Sequence, residues 1–130
     1  LGLPYVYVRS SPKDHGLENL IEGNLKPGQK VVVIEDLIST GGSSLKAVEA
    51  VRNAGCEVIG MAAIFTYGFP ISTRKFKAAQ VELITLSNYN AMLEIALETN
   101  YIKPEDLETL QEWRKDPANW QGPNNNTPAV

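Results

Sequence analysis

The run Val31-Val32-Val33-Ile34 passes without a break into Glu35-Asp36 and then into Ser39-Thr40-Gly41-Gly42-Ser43-Ser44. A continuous β-branched run predicts a central parallel strand, covered on both faces. Behind the small-residue loop, Leu45, Val48 and Val51 recur at helical spacing, with Lys46, Glu49 and Arg52 off that stripe. Strand, loop and helix in this order predict an α/β unit. Two acids then stand at the carboxyl end of the strand, where ligands bind in doubly wound sheets. The loop opens a helix, whose first N–H groups lack partners and carry the positive end of the dipole. Acids ahead of such a cradle suit sugar hydroxyls or a hydrated metal ion. The whole pattern reads as a site for a phosphorylated sugar, whereas two adjacent acids alone would as readily just face water. It is not a Walker A loop, because no Gly-Lys-Ser/Thr follows.

The rest of the chain continues the alternation. Pro4 to Val8 predicts a short strand, and Ser10 to Asn24 a polar loop longer than ordinary connections. Lys26-Pro27-Gly28-Gln29 is a turn. A helix is predicted over Gly42 to Ala54, with Gly55 as the residue that ends it. Strands follow at Val58–Phe65 and Val81–Leu86, and a helix basic at Arg74, Lys75 and Lys77 at Ser72–Ala79. Asn88 to Thr99 predicts a helix with Met92, Ile95 and Ala96 inward, and Pro104 to Lys115 another with proline in its first turn. This order predicts a parallel sheet with right-handed crossovers. Residues 1–115 read as the core and 116–130, with three prolines and a run of asparagines, as a flexible tail. The chain opens on Leu1 already inside a strand-like lead-in, which reads as the C-terminal part of a longer protein.

Bulk properties exclude several classes. The 130 residues suit one domain, and a net charge of −3 without a basic block argues against a nucleic-acid partner. No apolar stretch is long enough to span a bilayer, and no signal-peptide pattern opens the chain. The single cysteine, Cys56, permits no intramolecular disulfide, fits a reducing, cytoplasmic setting and reads as a small buried residue rather than a nucleophile. Arg9, Lys13 and His15 place three cationic or donor groups within seven residues, able to close over a pyrophosphate. Tyr67, Phe69 and Tyr89 fall near strand ends, where they either border a flat base or pack against loops. Trp113 and Trp120 read as C-terminal packing or surface.

The segment Val31 to Ser43 resembles the phosphoribosyl pyrophosphate (PRPP) motif of type I phosphoribosyltransferases: an apolar strand, two acids, then a Ser/Thr/Gly loop. Arg9…Lys13-Asp14-His15-Gly16 resembles the Arg…Lys-x-His-Gly catalytic loop of the orotate-specific branch. The lead-in Leu1 to Val8, Ile64-Phe65-Thr66-Tyr67-Gly68 and Leu86-Ser87-Asn88-Tyr89 resemble other segments of that branch. The resemblance covers Leu1 to about Lys115. It implies a Rossmann-like parallel-sheet core lacking its N-terminal part, and transfer of phosphoribosyl from PRPP to orotate, yielding orotidine 5′-monophosphate and pyrophosphate. It implies PRPP binding by Arg9, Lys13, His15, Glu35, Asp36, Leu37, Ile38, Ser39, Thr40, Gly41, Gly42 and Ser43. Lys13, His15 and Asp36 would be the catalytic residues, and Ser39 would touch orotate. Mg²⁺ would travel with the pyrophosphate rather than on protein ligands. A homodimer would let the Arg9–Gly16 loop reach the partner's site. Two departures stand out: Ser10 follows Arg9 where some members have a second basic residue, and Thr66-Tyr67-Gly68 lacks the arginine that helps hold orotate in some. Another acceptor base, or a regulator that binds PRPP without catalysis, are the alternatives the motif itself leaves open.

Overall fold

Three parallel strands, β3 (Lys30–Ile38), β4 (Glu57–Thr66) and β5 (Leu83–Asn88), form the central sheet in the order β3-β4-β5. The computed structural model describes residues 1–11 and 20–123. Helix α1 (Gly42–Asn53) connects β3 to β4, and α2 (Pro70–Ala78) connects β4 to β5. Ile38 pairs with Thr66, and Thr66 with Asn88, so the carboxyl ends of all three strands finish level. A register shift between Val31 and Val32 marks the start of the β3–β4 ladder.

One face of the sheet is the core. Ile38, Val48, Met61, Ala63, Phe76 and Val81 form a buried cluster, with Val33, Leu45, Val58 and Leu83 packed against it. Each aliphatic or aromatic side chain buried there contributes about 1.5–3 kcal/mol. The helix ends follow local chemistry. Gly55, at φ +84, ends α1 in the left-handed conformation and donates to Arg52 O.

The other face is bare. Val32, Ile34, Ile64, Ile84 and Leu86 alternate with the core residues, and Ile34, Ile84 and Leu86 are 71%, 62% and 83% exposed. Of the two covered faces expected for Val31–Ile34, the described residues supply one: α1 and α2 cover the side of Val33, and no described helix covers the side of Val32 and Ile34. The strand also runs four residues further, so Glu35 and Asp36 lie within its last turn of pleat rather than beyond it. Continuous apolar composition gives no period, and it hid this alternation.

The remaining elements lie outside the sheet. A two-residue strand β1 (Tyr7–Val8) pairs antiparallel with β2 (Ile21–Glu22), which lies in the stretch expected to be loop. Backbone pairing extends past the hairpin through Arg9 N–H to Leu20 O, 2.6 Å. Helix α3 (Tyr89–Glu98) starts on Asn88, whose side chain accepts from Ala91 N–H. It buries Tyr89 and Leu93, while Met92 and Ile95 are exposed. Their expected inward placement was one helical face off, with Ala96 alone half-buried. Helix α4 (Pro104–Lys115) has Lys103 N–H donating to Asp106, acids in its first turn and Arg114 and Lys115 in its last, which suits its dipole. A single 3₁₀ turn follows at Pro117–Asn119. No described helix is long and apolar enough to cross a membrane.

Candidate functional site

The site gathers at the level carboxyl ends of the strands. Strand β3 ends on Ile38, which is fully buried in the core and cannot offer its side chain to a ligand. Its carbonyl accepts from Tyr67 N–H at 3.1 Å, tying the loop after β4 to the loop after β3. Ser39 and Thr40 are exposed. Gly41 then takes φ +86 and serves as the N-cap of α1. A Cβ on Gly41 would stand 2.9 Å from Phe76 Cε2. Both the backbone conformation and the close approach of α2 therefore demand glycine here.

The start of α1 is bare, as is that of α2. No side chain caps it, and no acid lies in its first turn. Leu45 N–H to Gly41 O, 3.0 Å, is the first ladder bond, leaving the N–H groups of Gly42, Ser43 and Ser44 outside the ladder. Three backbone donors and a positive dipole end, without a protein anion in the first turn, form a seat for an anion. A cation from a second helix approaches it: Lys75 Nζ lies 3.9 Å from where a Gly42 Cβ would be. The sequence showed three basic residues on α2. Which one faces the loop depends on how α2 packs, so Lys75 was not legible.

The two acids diverge. Glu35 lies on the helix-covered face, and its Oε2 accepts from the buried Ser44 Oγ at 2.9 Å. Asp36 is exposed on the opposite face, the side of Val32 and Ile34. Its Oδ1 accepts from Leu37 N–H at 2.7 Å. Glu35 is thus tied to the anion seat through Ser44, while Asp36 is open to a ligand from the bare face.

Arg9 is half-buried and its Nη1 lies 3.0 Å from Glu22 Oε1, within the β1–β2 hairpin. Lys13 and His15 lie outside the described residues. Tyr67, Phe69 and Tyr89 pack against one another and against Trp113. Tyr67 stacks on Phe69 at 5.1 Å, and Trp113 lies 5.6–5.7 Å from all three rings. Of their two readings, packing is the one observed. Tyr89 Oη donates to Leu110 O at 3.0 Å, and burial pushes its phenol up, partly offset by Arg114. Cys56 is buried, its Sγ 3.1 Å from Lys26 O, as expected of a small core residue.

The family model described as the phosphoribosyl transferase domain matches residues 1–96. The chain belongs to this family. Similarity to curated proteins runs deeper. The chain is 70% identical over 121 residues to an orotate phosphoribosyltransferase of Bacteroides fragilis, covering 93% of this chain and 57% of the relative. It thus spans little more than half the length of such relatives. Among solved structures, an orotate phosphoribosyltransferase from Aeropyrum pernix superposes with a TM-score of 0.62 at 26% identity, covering 75% of this chain and 52% of that one. The enzyme from Mycobacterium tuberculosis in complex with PRPP gives 0.54 at 31% identity, covering 65% and 47%. These likenesses agree with the α/β parallel-sheet expectation, and the phosphoribosyl transferase family is the one that the motif at Val31–Ser43 implied.

Proposed function

We propose that this chain is the PRPP-binding part of an orotate phosphoribosyltransferase. The carrying observation is the uncapped start of α1, with three N–H groups outside its ladder, directly after the Glu35–Asp36 strand end. The names of the relatives support orotate as acceptor. In this reading the 5-phosphate sits on the N–H groups and hydroxyls of Ser39–Ser43, with Thr40, Gly41 and Gly42 giving close backbone approach and Leu37 and Ile38 contributing backbone alone. Lys75 adds a cation beside that seat. Asp36 faces the ribose from the open side and stabilises the positive charge that builds at the anomeric carbon. Glu35 keeps the Ser44 hydroxyl in place as it meets the sugar.

Arg9, Lys13 and His15 would stabilise the departing pyrophosphate. Among the described residues no three His, Cys, Asp or Glu side chains gather to hold a metal. Mg²⁺ carried mainly on phosphate oxygens would supply charge neutralisation there. The active form would be a cytoplasmic homodimer in which the Arg9–Gly16 loop serves the partner's site.

Pyrophosphate release by the full-length protein, with PRPP, Mg²⁺ and a panel of bases, tests the reaction. Release with orotate alone is expected; release only with another base overturns the acceptor, and none with any base overturns the chemistry. Lys13→Ala should cost about 10²–10³ in rate. Mixing Lys13→Ala with Asp36→Ala subunits should restore activity, and its absence would refute the shared loop.

A further inference from the structure

We infer that Arg114, carried by the C-terminal helix α4, is the residue that recognises the carboxylate of the acceptor base; this rests on the reading proposed above. The loop Thr66-Tyr67-Gly68, at the carboxyl end of β4, carries no cation of its own. Yet a guanidinium stands there. Arg114 Nη1 lies 3.4 Å from where a Gly68 Cβ would be, and Gly68 adopts φ +66. A side chain at 68 would strain the backbone at that φ, and its Cβ would rest against the guanidinium at ordinary van der Waals distance, so the guanidinium lies directly over this loop. Tyr67 N–H to Ile38 O ties this same loop to the residue preceding Ser39, so Arg114 stands one strand away from the start of the phosphate loop.

The arginine is also prepared for a ligand. It is half-buried, and its guanidinium carbon lies 6.0 Å from the Tyr89 ring centroid. The ion pairs among the described residues are Arg9–Glu22 and Lys115–Glu112, and neither engages Arg114. Its placement is held by the neighbouring Trp113, wedged among Tyr67, Phe69 and Tyr89, and by Tyr89 Oη on Leu110 O. A partly desolvated guanidinium with no ion-pair partner among the described residues favours a planar, bidentate acid. A flat heterocycle bearing a carboxylate has that chemistry.

The test compares two ligands that differ only in this carboxylate, orotidine 5′-monophosphate and uridine 5′-monophosphate, by calorimetry on the full-length protein. The wild type should prefer the former. Arg114→Met should weaken orotidine 5′-monophosphate by about 10- to 100-fold, the worth of lost hydrogen bonds to a charged group. Uridine 5′-monophosphate and PRPP should bind as before. Arg114→Lys, which keeps the stem and charge and so protects the fold, should show a smaller loss confined to the same ligand. Equal losses for both nucleotides, or none, overturn the role of Arg114. A wild type that binds PRPP but shows no preference overturns the acceptor assignment instead, and a wild type that binds no PRPP overturns the proposed function.

Discussion

The two faces of one sheet have nearly the same composition and opposite fates. On one, Val33, Met61, Ala63 and Leu83 meet α1 and α2 and form the core. On the other, Val32, Ile34, Ile64, Ile84 and Leu86 are equally apolar and meet solvent. Strand composition therefore does not decide what is buried; the elements laid over each face do. The site follows the same division. Glu35, on the covered side, is already bonded to Ser44 of α1. Asp36, on the bare side, is exposed and accepts from Leu37 N–H of its own strand.

The covered face should give the largest response. Phe76→Ala should cost about 3–5 kcal/mol in urea unfolding, because it empties the cluster and removes the ring behind Gly41. A cost below about 1 kcal/mol would mean that α2 does not hold the core as described. Gly41→Ala comes next: placing a Cβ at φ +86 costs about 1–2 kcal/mol before any clash with Phe76. It should also weaken PRPP binding, and unchanged affinity would separate the loop from the ligand.

Tyr89→Phe should cost about 1 kcal/mol through the lost bond to Leu110 O. This site also carries a pH signature. Burial raises the phenol in the folded state, so its stabilising contribution is full below the ordinary tyrosine value of 10.0 and is lost as pH rises through the folded value. Unfolding followed above pH 10 should show that decline in the wild type, and a shallower one in Tyr89→Phe. The smallest effect belongs to the bare face. Ile84→Lys and Leu86→Lys in the 130-residue chain should shift the unfolding free energy by no more than about 0.5 kcal/mol. They should reduce binding of a hydrophobic dye. A loss near that of Phe76→Ala would end the contrast between the faces.

Much of this was legible in the sequence. Periodicity at Leu45, Val48 and Val51 located α1, and Pro104 marked the first residue of α4. Gly55 ended α1 as its conformational freedom predicts. The strand–acid–loop–helix order located the uncapped start of α1. Errors fell where the local signal is degenerate: an unbroken apolar run in β3, a mostly apolar α3 whose inward face was misassigned, and a two-residue strand too short to carry a pattern.

The sequence alone determined most of the elements and that a glycine-bearing helix start follows β3, because glycine conformation and hydrophobic period act within a few residues. Tertiary structure decided that Glu35 and Asp36 face opposite sides, that Lys75 rather than its basic neighbours approaches Gly42, and that Arg114 arrives beside Gly68, 46 positions away in the chain (114 minus 68). Those outcomes depend on which surfaces of separate elements meet, and burial of apolar area selects them without regard to distance along the chain.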